Sequence, residues 1–245
     1  MINLIIPMAG RGSRFSKAGY QIPKPLVDLN GRPFIWWSIM SVKRVVDVKT
    51  LTCVILKEHI EAFDIKNKVL SYFPEANFVV LDDVSDGALD SAIIGLSNVS
   101  NNYPVLINDC DHAFDIPELG KYIEQLNTSE DVNAFLCHFK SDSPAYSYAK
   151  YTSKGNLEKT VEKQVISELA IAGAYIFEDK SLIEKYFTDY KNNCNYSETY
   201  ISGLYNFMVQ DNKTVKGIVL DSHLSFGTPE ELSAIVDSMP YKYWL

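Results

Sequence analysis

Leu4-Ile5-Ile6-Pro7-Met8-Ala9-Gly10-Arg11-Gly12-Ser13-Arg14-Phe15, followed by Pro23-Lys24-Pro25-Leu26, is the stretch on which the reading of this chain turns. Leu4 to Ile6 is a short run of branched apolar residues, the pattern of a strand buried on both faces. Two glycines directly after such a strand allow a tight turn and a close approach of backbone to a ligand. Successive amides in that turn can cradle phosphate oxygens. Arg11 and Arg14 supply fixed positive charge with bidentate geometry. Lys24 lies between two prolines, which stiffen the backbone of a lysine aimed at a fixed target. An ordinary glycine turn with solvated arginines would use some of the same residues, but the run from strand to Pro-Lys-Pro favours a phosphate loop. It is not GxxxxGK[ST], because no Lys-Ser/Thr pair follows, nor GxGxxG, because the third glycine is absent.

Working outward, similar apolar runs recur at Leu51–Leu56, Phe78–Leu81, Val105–Ile107 and Asn133–Phe139. Between them, Ile35, Ile39, Val42 and Val46, and then Leu89, Ala92, Ile93 and Leu96, fall on one face of a helix. Alternating strands and helices predict an α/β fold, a Rossmann-like mainly parallel sheet flanked by helices. Helix starts are expected at Asp115-Ile116-Pro117-Glu118 and Thr228-Pro229-Glu230-Glu231, each with a capping residue three before a glutamate. After about residue 145 the pattern changes. Strands are expected at Tyr146–Tyr151, Leu157–Val161, Leu169–Phe177 and Val215–Leu220, and helices at Lys180–Phe187, Ser197–Val209 and from Pro229. No repeat or linker interrupts the chain, so residues 1–245 read as one domain, with a parallel part to about 145 and a more irregular part after it that is expected to cover the site.

Composition bounds the function. The chain has 245 residues, 31 Asp+Glu against 23 Lys+Arg, and a formal net charge of −8. That balance argues against nucleic acid and against an anionic membrane surface. With 47% hydrophobic and 12% aromatic residues it is a packed globular protein. Cys53, Cys110, Cys137 and Cys194 are widely spaced and read as buried thiols of a reducing compartment. No apolar stretch approaches the ~20 residues that span a bilayer, and the N-terminus lacks a basic leader. The cytoplasm is the expected location. Tyr241, Tyr243 and Trp244 fit an interface, a lid edge or a packed tail, and a homo-oligomer is possible.

Asp109 and Asp111 follow Val105–Ile107, at the carboxyl end of an expected parallel strand, where α/β sheets place ligands. Carboxylates there suit Mg²⁺, which takes one or two protein carboxylates plus substrate phosphates.

The phosphate loop resembles the N-terminal signature of the nucleotidyltransferases that activate sugar phosphates and small alcohol phosphates. These include glucose-1-phosphate thymidylyltransferases and choline-phosphate-type cytidylyltransferases. Further similarities follow in order: Ser85-Asp86-Gly87-Ala88-Leu89, Asn108-Asp109-Cys110-Asp111-His112-Ala113-Phe114, Val161-Glu162-Lys163, Ala172-Gly173-Ala174-Tyr175-Ile176-Phe177, and Phe226-Gly227-Thr228-Pro229-Glu230-Glu231. Met8, Phe15 and Gln164 depart from that pattern.

The resemblance implies a nucleotide-diphospho-sugar transferase type of fold and an enzyme that joins an NTP, a pyrimidine one for preference, to a phosphorylated small acceptor. It implies Arg14, Lys24 and Asp111 as catalytic residues. Ala9, Gly10, Arg11, Gly12, Ser13, Gly87, Ala88 and Asp109 would bind nucleotide, and Glu162, Lys163 and Gly173 the acceptor. Mg²⁺ would sit on Asp111, with Asp109 as a second candidate ligand. The family's further metal-binding Asp corresponds to Ser225, leaving Asp221 as a substitute only if the backbone were rearranged. Glu198 reads as a helix-start acid and His112 as the histidine near the chemistry, with His59, His138 and His223 structural. Two other readings stay open: a metal-dependent glycosyltransferase, which shares the Asp109-x-Asp111 pattern, and a catalytically idle nucleotide-binding relative, which Ser225 would suit.

Overall fold

A computed structural model describes residues 1–100, 102–128 and 131–238. The terminal aromatics Tyr241, Tyr243 and Trp244 lie outside the described residues. The chain builds a nine-stranded sheet. Its strands are β1 (Ile2–Pro7), β2 (Val48–Leu56), β3 (Asn77–Leu81), β4 (Val105–Asn108), β5 (Ala134–Lys140), β6 (Tyr148–Tyr151), β7 (Leu157–Val161), β8 (Leu169–Phe177) and β9 (Val215–Val219). The order β7-β6-β8-β4-β1-β2-β3 forms the main path, and β5 pairs with β8 and carries β9 on its other edge.

β4, β1, β2 and β3 run parallel, each pairing with its neighbour in register. The reason is visible residue by residue. Leu4 and Ile6 enter one core and Ile5 another; Cys53 and Ile55 face one side, Val54 and Leu56 the other. A strand apolar at every position can only be satisfied with helices on both faces. Helix Phe34–Lys43 packs on one side, helices Ala88–Gly95 and Ile201–Gln210 on the other. β8 then enters antiparallel between β4 and β5, so the second half of the chain is woven into the same sheet.

The sequence expectations for strands hold to within a few residues at each end. Three helices differ for physical reasons. Asp115 ends a short strand, His112–Asp115, and pairs with Arg44 at 3.0 Å, so the helix begins at Leu119 instead. The helix from Lys180 runs on to Asn193, started by the Asp179 carboxylate accepting from the Leu182 amide. The next helix starts at Ile201, because the Thr199 N–H donates to Asp86 O and its carbonyl accepts from Leu89 N. The expected capping box at residue 228 is present, with the Thr228 amide donating to Glu231 Oε2 and the Glu231 amide to Thr228 Oγ1.

A third core lies beneath the glycine loop that follows β1. Phe15, Val27, Leu29, Phe34 and Trp37 from the N-terminal part meet Ala113, Leu224, Phe226, Leu232 and Ile235. Phe34 is its hub, with ring centroids 5.6 Å from Phe15 and 4.5 Å from Phe226. This core ties the loop after β1 to the end of the described chain. Among the described residues no helix is long and apolar enough to cross a membrane.

His138 is fully buried on β5, with its Nε2 2.5 Å from the Tyr151 hydroxyl, and burial pushes its pKa down to about 4. An unfolded histidine titrates near ~6.5, so the unfolded chain binds the extra proton first as pH falls. His138 therefore contributes stability above about pH 6.5 that is lost as pH falls towards 4. Urea midpoints of wild type should drop between pH 7 and pH 5, and His138→Gln should show a shallower drop; parallel profiles would refute the assignment.

Candidate active site

The phosphate-loop backbone is shaped by a conflict of space. Gly12 sits at φ 61°, and a Cβ there would lie 3.0 Å from Cβ of Lys24, so the loop and the Pro23-Lys24-Pro25 segment pack directly together. Gly10 faces open space, leaving its backbone accessible. Ser13 begins a short helix, Ser13–Lys17, that buries Phe15 in the third core.

The carboxylate loop after β4 is pinned from several sides. Asn108 Nδ2 donates to Ser38 Oγ at 2.8 Å, and Ser38 Oγ donates to the Asp109 carbonyl at 2.9 Å. The Asp109 amide donates to Gly173 O at 2.8 Å, and the Phe226 amide to Asp111 O at 3.0 Å. Gly173 interrupts the β5–β8 register at φ 69°, and a Cβ there would fall 2.9 Å from Asp109 Oδ2. The glycine is there because the carboxylate needs the space.

The two loops meet in an ion pair, Lys24 Nζ to Asp111 Oδ2 at 2.7 Å. Burial works against ionising Asp111, but Lys24, His112 and Arg14 outweigh it and hold its carboxyl well below the usual carboxylate range. Asp109 goes the other way: burial and the Asp111 charge push it up to about 8. His112 Nδ1 is 2.8 Å from His223 Nε2, and His223 stacks on Phe139 at 4.0 Å. Burial lowers the pKa of His112 and of His223.

Around this pair opens a cleft of about 520 Å³. Ala9, Gly10, Gly12, Arg14, Lys24, Gly87, Ala88, Asp109 and Asp111 line it, as the sequence reading expects. Arg11 does not: its guanidinium turns outward to Glu58 at 3.1 Å and Asp83 at 2.9 Å. Ser13 is spent on the helix start and also does not line it. Asp221 is exposed, beside Ser222, which pairs with Asp115 at the end of a two-stranded ribbon away from His112. It is not brought to the carboxylates, and Ser225, opposite His112, brings none in its place.

The acceptor candidates sit just off the cleft. Glu162 is buried, and its Oε1 accepts from Ser147 Oγ at 2.5 Å and from Ser202 Oγ. Lys163 is exposed at φ 52°, donating to the Tyr200 hydroxyl at 3.0 Å with its ammonium 5.3 Å from that ring centroid. Ser85, from the segment with Gly87 and Ala88, also lines the cleft, together with Val84, Glu198 and Tyr200, to which the sequence pattern assigns no place there. Glu198 precedes its helix by a bend and faces the cleft, a placement that the Thr199 backbone bonds impose. No local pattern reveals that, since the bonds reach over a hundred residues back along the chain.

Asp109, Asp111 and His112 place ligand atoms within 4.8 Å of one another. Two carboxylates, one held ionised by Lys24, match the preference of Mg²⁺ for oxygen donors, so the residues fit the metal that the resemblance implies. Gly173→Ala would force both a strained backbone and an overlap with Asp109. We expect it to cost about 1–3 kcal/mol of stability and to weaken Mn²⁺ binding, followed by electron paramagnetic resonance, by tenfold or more; unchanged Mn²⁺ affinity would remove Asp109 from the metal site.

Solved structures of the same fold are similar to the whole chain. The structure of a nucleoside-diphosphate-sugar pyrophosphorylase from Vibrio cholerae RC9 superposes with TM-score 0.81 at 21% identity, covering 96% of this chain and 99% of that one. The inositol-1-phosphate CTP transferase of T. maritima gives 0.75 at 15% identity, covering 97% of this chain and 94% of that one. HddC from Yersinia pseudotuberculosis, complexed with GMP-PN, gives 0.71 at 19% identity, covering 98% and 100%. No curated protein matches the sequence. Residues 4–170 match the MobA-like NTP transferase domain. The chain therefore belongs to the MobA-like NTP transferase family and is a nucleotidyltransferase of mixed α/β fold.

Proposed function

We propose that this enzyme joins an NTP to a sugar-1-phosphate or a small phosphorylated alcohol, releasing pyrophosphate and forming an NDP-activated product. The observation that carries the reading is the Lys24–Asp111 pair at the floor of the cleft, between an open glycine loop and the carboxylates. We place nucleotide binding in residues 1–145 and acceptor binding in 146–245. A pyrimidine base and a sugar-1-phosphate are the favoured pair, and the setting is cytoplasmic supply of precursors for capsule or envelope glycoconjugates. The names of the neighbours, a nucleoside-diphosphate-sugar pyrophosphorylase and an inositol-1-phosphate CTP transferase, support this substrate class.

In this reaction an oxygen of the acceptor phosphate attacks the α-phosphorus in line, and the bond from that phosphorus to the β-phosphate oxygen breaks. The acceptor phosphate is already ionised, so no residue needs to remove a proton. The protein positions groups and neutralises charge. Backbone amides of the Gly10–Gly12 loop and Arg14 bind the β- and γ-phosphates and the departing pyrophosphate. Lys24 neutralises the α-phosphate as charge builds; its ammonium has three donors, so bonding Asp111 leaves others for the ligand. Asp111 and Asp109 would hold Mg²⁺, which when bound supplies positive charge across the phosphates. Lys163, held on Tyr200, orients the acceptor phosphate.

A panel of NTPs against phosphorylated acceptors, followed by pyrophosphate release, tests this. One NTP–acceptor pair should turn over, and chelation of divalent metal should abolish it. Nucleotide binding without turnover on any acceptor would favour the idle reading. Lys24→Met and Asp111→Asn should each lower kcat by about 100- to 1000-fold in folded protein. Wild-type turnover in folded Asp111→Asn would end its assigned role.

A further inference from the structure

Asp90 belongs to none of the groups assigned above, yet it is a buried carboxylate, 6% exposed, directly behind the cleft wall. It accepts hydrogen bonds from Thr199 Oγ1 and from Lys191 Nζ, and Lys191 also reaches Asp86 at 2.9 Å. The backbone on both sides is closed tightly. Thr199 N donates to Asp86 O at 2.9 Å, Leu89 N donates to Thr199 O at 3.1 Å, and a Cβ on Gly87 would lie 2.5 Å from Thr199 N. The residues flanking Thr199, Glu198 and Tyr200, line the cleft, and Tyr200 carries the bond from Lys163.

We propose that Asp90 is a positioning residue for acceptor binding: it fixes the Glu198–Tyr200 wall, and with it Lys163, relative to the nucleotide side of the cleft. This rests on the acceptor reading of Lys163 given above. Which partner would move without Asp90 follows from how each is anchored. Helix Ala88–Gly95 is held independently, with Leu89 and Ala92 fully buried and Gly95 packed against Val54 and Ile5. The Glu198–Tyr200 strip lies between two helices without regular structure of its own, so it is the softer side. Loss of the Asp90 bonds therefore disturbs the acceptor wall and spares the nucleotide wall.

The test combines Asp90→Asn, Thr199→Val, their double variant and Thr199→Ser. Acceptor KM and kcat are read by pyrophosphate release, NTP affinity by calorimetry, and the amides of 197–200 by hydrogen exchange. Asp90→Asn and Thr199→Val should each raise the acceptor KM about tenfold, with NTP Kd changed less than twofold. Amide exchange in the strip should accelerate in both. Thr199→Ser should restore wild-type values, and the double variant should be no worse than the poorer single one, as for groups in one interaction. Equal losses for NTP and acceptor, additive effects, or unchanged exchange in the strip would overturn the proposal. Wild type that binds NTP but releases no pyrophosphate would instead sink the catalytic reading, and the exchange data would still decide whether Asp90 holds the strip.

Discussion

The cleft depends on one interaction, the ion pair between Lys24 and Asp111. Their side chains are 21% and 11% exposed, so each charge would be costly alone. Pairing lets a buried carboxylate stay ionised and a buried ammonium stay protonated in the same place. Burial lowers the pKa of Lys24, but Asp111 more than reverses this and raises it. The pair joins a loop from the first strand to a loop from the fourth, which are neighbours only because β1 and β4 are adjacent in the sheet.

Much of the surrounding structure serves to keep those loops in place. Ser38 and Asn108 hold the carboxylate loop to helix Phe34–Lys43, which packs Ile35, Ile39 and Val42 on the sheet and puts Phe34 and Trp37 into the core beneath the loop after β1. Gly12 lets Lys24 approach and Gly173 leaves room for Asp109. Beside Asp111, buried His112 pairs with half-buried His223, whose ring stacks on Phe139. The cleft does not simply reverse the net charge of −8, since Arg14 and Lys24 share its lining with Asp109, Asp111 and Glu198. Lys24 and Arg14 face the cleft, while Arg11 is neutralised by surface acids.

The parts of the site that sequence makes legible are those carried by local pattern. Gly10, Gly12, Arg14 and Lys24 follow one strand within a short span, and Asp109 and Asp111 follow another. The parts that stay hidden are those decided by contacts distant in sequence. Arg11 looks like Arg14 until Glu58 and Asp83 capture it. Glu198 looks like a helix-start acid until Asp86 and Leu89 bond Thr199 and hold the strip against the cleft. Asp221 looks available until the ribbon pairing sets it beside Asp115.

From sequence alone came the α/β alternation, the parallel part of the sheet and the glycine turn after β1, because strand burial on two faces and glycine turns leave period and composition marks that are local. Only the tertiary structure decided which cations reach the cleft, that Glu198 and Tyr200 line it, and that Asp111 is ionised while Asp109 resists ionisation. Those outcomes depend on distance, desolvation and competing partners, and none of these is a property of a residue's neighbours in the chain.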